Sequence, residues 1–293
     1  MEPIGILKDG QIYDLQTAEA LNIQGYEIKS DDSKESLDIL RHSCAHLMAQ
    51  AIKELYPEAK FFVGPVVKEG FYYDFKVESK ISDEDLPTIE KKMKEIADRK
   101  LPITRHETTK EEFYEKFKND ELKQAVLKNI KDDTLTIYKQ GDFEDLCRGP
   151  HLPNTRMIRS FKLTRVAGAY LGGDEKNEMI TRIYGIAFFD KQALFDYTKM
   201  IEEAKKRDHR KLGTELELFT FNDDVGAGLP MWLPNGARLR SKLEHLLYKA
   251  HRVRGYEPVR GPEILKSEMW KISGHYANYK ENMYFTTIDD QEY

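Results

Sequence analysis

Two histidines four residues apart are the first residues of this chain whose types and spacing suggest chemistry: His42 and His46, in Arg41-His42-Ser43-Cys44-Ala45-His46. Imidazoles titrate near neutral pH and ligate metals, so the pair suits a metal site or acid–base work. Zinc-protease chemistry is disfavoured, because Ser43 stands where the His-Glu-x-x-His helix carries its glutamate. A second cluster follows in Gly141-Asp142-Phe143-Glu144-Asp145-Leu146-Cys147-Arg148-Gly149-Pro150-His151. Its Gly-Pro turn lets the Cys147 and His151 side chains converge on one point. Two helical histidines with a loop cysteine and histidine form a donor set of the kind zinc prefers. The same groups can also move protons without a metal. A solvated, hydrogen-bonded pair is the simpler alternative for His42 and His46, and the second cluster is what favours a site.

These side chains need elements to hold them. A helical pattern runs from Asp32, with Glu35 completing a capping-box-like start, to Tyr56-Pro57. Leu37, Leu40, Cys44, Leu47, Met48, Ile52 and Leu55 form its apolar stripe. His42 and His46 fall on roughly the opposite side, as neighbours on one face. Cys44 therefore reads as inert packing and Cys147 as the reactive thiol.

Around this helix, residues 32 to about 189 read as an α+β domain. Strands are expected over 61–67 and 71–76, flanking Gly70, and over 161–165 and 178–189, with a turn at Gly172-Gly173-Asp174. Helices are expected over 82–100, burying Leu86, Ile89, Met93 and Ile96, then over 110–117 and 122–129. Upstream, short strands near 4–7 and 11–15 flank an Asp9-Gly10 hairpin signal. Residues 27–34 read as a polar linker. Downstream, 192–212 reads as one long charged helix acting as a spacer. Lys205, Lys206, Arg207 and Arg210 are the alternative contacts there, to the phosphates of a nucleic acid. A further domain opens at Gly213, with an amphipathic helix over 236–254 and a strand over 256–259.

Composition bounds the reading. The 293 residues leave room for one large or two ordinary domains. Hydrophobic residues make up 40% and charged residues 33%, enough for cores under a well-solvated surface. No apolar run reaches the length of a membrane span. The Met1-Glu2-Pro3-Ile4 start lacks the pattern of a signal peptide, so a cytoplasmic protein without membrane contact is expected. Two cysteines exclude a disulfide framework. A net charge of -5 does not advertise a nucleic-acid binder, although a local basic surface can serve one on an acidic protein.

The His42-Ser43-Cys44-Ala45-His46 and Asp145-Leu146-Cys147-Arg148-Gly149-Pro150-His151 segments resemble the editing domain of bacterial threonyl-tRNA synthetases. The alanyl-tRNA editing proteins share the His-x-x-x-His and Cys-x-x-x-His pattern. Gly64-Pro65-Val66, Gly70-Phe71-Tyr72-Tyr73-Asp74, Ala167-Gly168-Ala169-Tyr170, Arg182-Ile183-Tyr184-Gly185 and Ser273-Gly274-His275-Tyr276 favour the threonyl branch. The resemblance extends from Leu37 to Tyr293.

The resemblance implies four segments. Residues 1–31 would be a shortened ubiquitin-like remnant and 32–190 an editing domain of helices packed on an antiparallel sheet. Residues 191–212 would be a linker helix. Residues 213–293 would be the truncated start of a class II synthetase antiparallel-sheet domain, with the 236–254 helix and first class II signature forming a homodimer interface. The function implied is threonine–tRNA ligation in a longer parent, which uses ATP, Mg2+ and a zinc that recognises threonine. The sites for these groups are expected to lie outside this sequence, so the fragment is expected to edit without aminoacylating. Its partners would be tRNA(Thr) and the seryl and threonyl groups that tRNA(Thr) carries. Carried over by motif, the editing site falls on His42, His46, Tyr73, Lys123, Asp145, Cys147 and His151. Lys123 would polarise the carbonyl or help activate water, Asp145 would bind the substrate amino group, and the histidines would position water and move protons. Alanyl editing relatives hold zinc at the corresponding donors, whereas the threonyl branch works without it. Zinc on His42, His46, Cys147 and His151 is therefore the secondary expectation. A free-standing alanyl-type deacylase and a non-catalytic tRNA-binding or dimerisation module are the alternative functions.

Overall fold

The structure is a computed structural model that describes every residue except Asp32, Asn129 and Ala227. It divides into two compact units, Met1–Glu203 and Ala204–Tyr293.

The first unit opens with β1 (Pro3–Lys8) and β2 (Gln11–Asp14), joined at Asp9-Gly10. Both turn residues have positive φ, 50° and 78°, as the tight hairpin needs. Next come α1 (Leu15–Ala20) and β3 (Tyr26–Lys29), which gives a sheet of order β2-β1-β3. The expected 27–34 linker is therefore half strand: β3 pairs with β1, and Ile28 turns into the core. Ile4 and Ile28 share one hydrophobic cluster with the histidine helix.

That helix is α2 (Lys34–Leu55). It contains no Gly or Pro, and it stops at Tyr56 because the residue before Pro57 is pushed out of the helical region. Ser33 is its N-cap and makes no side-chain cap bond; the expected start at Asp32 lies outside the described residues. The expectation of one apolar stripe needs correction. Leu40, Cys44, Leu47, Met48 and Ile52 are fully buried, but Ser43, His46 and Gln50, off that stripe, are buried as well. The helix is covered on both sides because Gln140 and Phe143 of a second sheet, and the turn that carries His151, reach it where solvent was expected.

The first of the two sheets covering α2 contains β4 (Lys60–Phe61), β5 (Val66–Val67) and β6 (Gly70–Lys76), so the expected 61–67 strand is split in two. The helix α3 (Leu86–Asp98) packs on α2 and buries Ile89, Met93 and Ile96. The second sheet begins with β7 (Ile103–Thr109). After α4 (Lys110–Lys116) and α5 (Glu121–Lys128) it continues with β8 (Thr134–Gln140) and β9 (Phe143–Leu146). Its order is β7-β8-β9, all antiparallel. The expected end of α5 at Asn129 lies outside the described residues.

The longest strands, β10 (Ser160–Tyr170) and β11 (Met179–Phe188), close the first sheet in the order β10-β11-β6-β4, with β5 also paired to β6. Phe71, Tyr73 and Phe75 of β6 and Ile183 and Ala187 of β11 are buried, while Tyr72, Arg182 and Tyr184 keep partial exposure. Gly70 has to lack a side chain, because a Cβ there would lie 2.2 Å from the Gly185 carbonyl oxygen.

The expected single spacer helix is broken. α6 (Lys191–Lys206) ends, and Asp208 accepts from the Arg210 N–H to start α7 (His209–Glu215). An aspartate that caps a new helix competes with continuation of the old one.

In the second unit the β12 (Phe219–Thr220) and β13 (Met231–Trp232) pair leads into α8 (Pro234–Arg252). Two short helices, α9 (Ser267–Ile272) and α10 (His275–Tyr279), and the β14 (Thr287–Ile288) and β15 (Gln291–Glu292) pair complete it. Leu239, Leu243 and Leu246 of α8, and Val253 just after it, are exposed. Residues 256–259 form no strand, since no described strand pairs with them. The architecture is thus mixed helix and antiparallel sheet, with two-residue pairs as the only β-structure among the described residues of the second unit.

Candidate functional site

His42 and His46 sit one turn apart on α2 and face the segment that leaves β9. Cys147 immediately follows β9, and the turn through Gly149 and Pro150 returns His151 to the helix. The Cys147 Sγ lies 3.1 Å from His42 Nε2 and 3.2 Å from His151 Nε2. Ring centroids are 5.3 Å apart for His42 and His46, 4.4 Å for His42 and His151, and 4.3 Å for His46 and His151. The Gly149 N–H donates to the Cys147 sulfur at 3.1 Å. The two segments do meet in one cluster, within the first unit.

Ser43, which sequence reasoning used only to argue against a protease, helps orient His151. Its hydroxyl donates to the Ile39 carbonyl at 2.9 Å and accepts from the Leu152 N–H at 2.9 Å. With that proton committed, its 3.2 Å contact to His151 Nδ1 requires the imidazole to donate. The Nε2 lone pair of His151 then faces Cys147. This tautomer suits both a base and a metal ligand.

A second buried group adjoins the first. Asp145, on β9, takes the Tyr73 hydroxyl on Oδ2 and the Lys123 ammonium on Oδ1, and it also accepts from the Leu146 N–H at 2.8 Å. Tyr73 comes from β6 and Lys123 from α5, so three elements converge on one carboxylate. All three side chains are buried. The His46 and Tyr73 rings, 6.3 Å apart between centroids, link the groups. All seven residues carried over by resemblance are therefore brought together. Tyr73 lies within β6, inside the expected 71–76 strand, and Lys123 is buried.

Burial sets the protonation states. It pulls the His42 imidazole down to about 4, although Asp14 opposes the shift. His46 and His151 are lowered well below the usual histidine range, first by burial and then by neighbouring imidazoles. All three are neutral near pH 7. Burial raises the Cys147 thiol, so the expected reactive cysteine does not carry a free thiolate on its own. It also lowers Lys123 to about 8 and raises Asp145 well above the usual carboxylate range.

Two cavities flank the cluster. One, of about 480 Å³, reaches Lys123 and Asp145 and is walled by Gln50, Phe61 and Phe143. The other, of about 1140 Å³, reaches His42 and Pro150 and is walled by Arg41, Val66 and Phe188.

The four N and S donors lie within 4.8 Å of one another. Tetrahedral zinc, with bonds of roughly 2.0–2.3 Å, needs donor separations of about 3.3–3.7 Å. The residues thus fit zinc in kind and number, with small side-chain shifts. His42, His46, Cys147 and His151 would hold it, and when bound it would supply Lewis-acid polarisation of a water.

Residues 135–184, which include most of β8, all of β9 and the Cys147–His151 turn, match the family described as "Threonyl and Alanyl tRNA synthetase second additional domain". The whole chain is 70% identical over 292 residues to "Threonine--tRNA ligase" of Campylobacter jejuni subsp. jejuni serotype O:6, covering 100% of this chain and 48% of that protein. The chain belongs to the bacterial threonyl-tRNA synthetase family, in its N-terminal portion. The threonyl-tRNA synthetase relative of Campylobacter lari is 74% identical over 263 residues, covering 90% of this chain and 44% of its own length. That of Helicobacter hepaticus is 67% identical over 292 residues, covering 100% of this chain and 48% of its own length. The chain thus spans about half the length of the curated relatives it matches. A solved structure, the RNA-binding domain of threonyl-tRNA synthetase from Cryptosporidium parvum Iowa II, is 44% identical over 29% of this chain and 22% of that one, with a TM-score of 0.28. No described helix is long and apolar enough to cross a membrane.

Sequence reasoning missed Asp14, Ser43 and Tyr138 as neighbours of the site, and it missed the second sheet that carries Asp145. A signal for that sheet was present. Gly141-Asp142 is a two-residue hairpin loop between Gln140 and Phe143, flanked by the alternating runs of β8 and β9. Gly141 has φ 61°, which the first position of such a loop demands.

Proposed function

We propose that this chain hydrolyses the ester of seryl-tRNA(Thr), as the editing portion of a cytoplasmic threonine–tRNA ligase. The observation that carries the reading is the convergence of His42, His46, Cys147 and His151 beside the buried Lys123–Asp145–Tyr73 group. A charging site that accepts threonine also admits serine, because one missing methyl is worth only about 1–3 kcal/mol. A second, smaller, hydrolytic pocket corrects the error by accepting the seryl group and crowding out the extra methyl of threonine.

The chemistry follows from the protonation states. Ester cleavage needs an activated water, a polarised carbonyl and a proton for the departing ribose oxygen. A neutral imidazole with its lone pair on Nε2, as His151 has, takes the proton from water. The resulting imidazolium returns it to the ribose oxygen. The Lys123 ammonium polarises the carbonyl, and Asp145 accepts the substrate amino group while Tyr73 holds the carboxylate in place. In the full-length protein, threonine ligation with ATP and Mg2+, binding of tRNA(Thr), and dimerisation through the exposed leucines of α8 belong to the same proposal.

The test is deacylation of seryl-tRNA(Thr), with threonyl-tRNA(Thr) as the spared control, run with and without a chelator. His42→Ala and Cys147→Ala are each expected to lower the rate at least about tenfold, the low end for lost acid–base help. The chelator is expected to leave the wild-type rate unchanged; a loss would transfer water activation to a bound metal. Wild-type rates in both variants would remove the site.

A further inference from the structure

The geometry points to Asp14 as the positioning residue for the Cys147–His151 turn, which makes the N-terminal hairpin part of the site's scaffold. The catalytic consequence rests on the proposed editing reading, whereas the positioning stands on packing alone.

Asp14 ends β2 and caps α1, and its carboxylate is buried. Oδ1 accepts from the Thr17 N–H at 2.7 Å. Oδ2 accepts from the Tyr138 hydroxyl at 2.5 Å and from the His151 N–H at 3.3 Å. The Tyr138 ring in turn lies against the His151 ring, with centroids 4.5 Å apart. His151 is thus held by its backbone through Asp14, by its ring face through Tyr138, and by its Nδ1 through Ser43.

Gly149 shows how tightly the turn is seated. It has φ 72°, and a Cβ there would lie 2.5 Å from the Tyr138 hydroxyl and 2.9 Å from Asp14 Oδ2. The two side chains leave the turn no room to back away.

Chemistry singles out a carboxylate. Three donors converge on its two oxygens, and an ionised carboxylate is acceptor-only. An asparagine has one acceptor oxygen and one NH2, so it must turn a donor either toward Thr17 or toward Tyr138 and His151. The change nearly preserves shape and forfeits one side of the contact.

The experiment uses the full chain with Asp14→Asn and, separately, Tyr138→Phe, which removes one donor and leaves the α1 cap intact. The first readout is alkylation of Cys147 by iodoacetamide. The other cysteine, Cys44, is fully buried and reports global opening. Asp14→Asn is expected to speed Cys147 labelling about fivefold through local loosening, with Cys44 unlabelled. Should Cys44 label too, Tyr138→Phe decides, with an expected rise of about twofold at Cys147 alone. Unchanged Cys147 labelling in both variants, or labelling of both cysteines at one rate in both, overturns the positioning role.

The second readout is deacylation of seryl-tRNA(Thr) beside a His46→Ala control. Asp14→Asn should lower kcat about tenfold with KM within about twofold, as expected when reacting groups are misplaced rather than lost. Full activity in Asp14→Asn with an inactive His46→Ala removes the catalytic consequence. Full activity in His46→Ala removes the editing reading itself, and the labelling result still decides the positioning.

Discussion

Lys123→Met is expected to slow deacylation of seryl-tRNA(Thr) by about 10²–10³-fold, the cost of losing one preorganised charge stabiliser. The same change should destabilise the fold by about 3–5 kcal/mol, because it strands a carboxylate that has lost its buried partner. Lys123 and Asp145 are 5% and 2% exposed, so water does not rescue the orphan. The double variant Lys123→Met/Asp145→Asn separates the two effects: most of the stability should return while activity should not. Chemical denaturation and single-turnover deacylation check the two halves. A single variant as stable and as active as the wild type would sink the assignment. The pH–rate profile carries a further sign. Burial lowers Lys123 to about 8, and the ammonium is the form that polarises a carbonyl. The enzymatic rate should therefore fall as pH rises through about 8. A rise over that range would give Lys123 the water-activating role instead.

Acid should destabilise the first unit well before its surface carboxylates protonate. His42 is lowered to about 4, and His46 and His151 are also held below their usual value by burial. Each is depressed in the folded state, so each contributes stability that is present above about pH 6.5 and lost as pH falls toward about 4. Asp145, raised by burial, acts in the opposite direction and reduces the net loss. The thermal midpoint at pH 5 is expected to lie about 5–10 °C below that at pH 7.5. His42→Asn should flatten this dependence, since it removes a titrating group while keeping a polar side chain. Equal midpoints at the two pH values, or an unchanged slope in the variant, would contradict the neutral, buried cluster.

Much of the site was legible because its residues are chemically unusual for their setting. Two imidazoles on one helix and a cysteine beside a Gly-Pro turn are conspicuous in a chain with two cysteines and eight histidines. Lys123, Asp145 and Tyr73 were accessible only through family resemblance. A lysine between Leu122 and Gln124 on a charged helix carries no local sign of burial. Asp14 and Tyr138 had no signal at all: their partners are distant in sequence, and each residue by itself is ordinary in a turn or a strand.

Local chemistry sufficed wherever a backbone preference decides the outcome. Pro57 ended α2, Asp9-Gly10 made the first hairpin, and the apolar stripe of α2 identified one buried face. It failed where the deciding contact lies far along the chain. Periodicity counts apolar residues, so it assigned the polar side of α2 to water. In the folded chain that side meets Gln140 and Phe143, at the hairpin between β8 and β9, and the Cys147–His151 turn, and the polar groups that meet there satisfy one another. The sequence by itself determined which side chains can do the chemistry and which family they belong to. Only the tertiary structure decided that they are buried, neutral and mutually oriented. Desolvation and hydrogen-bond geometry depend on neighbours that residue order does not name.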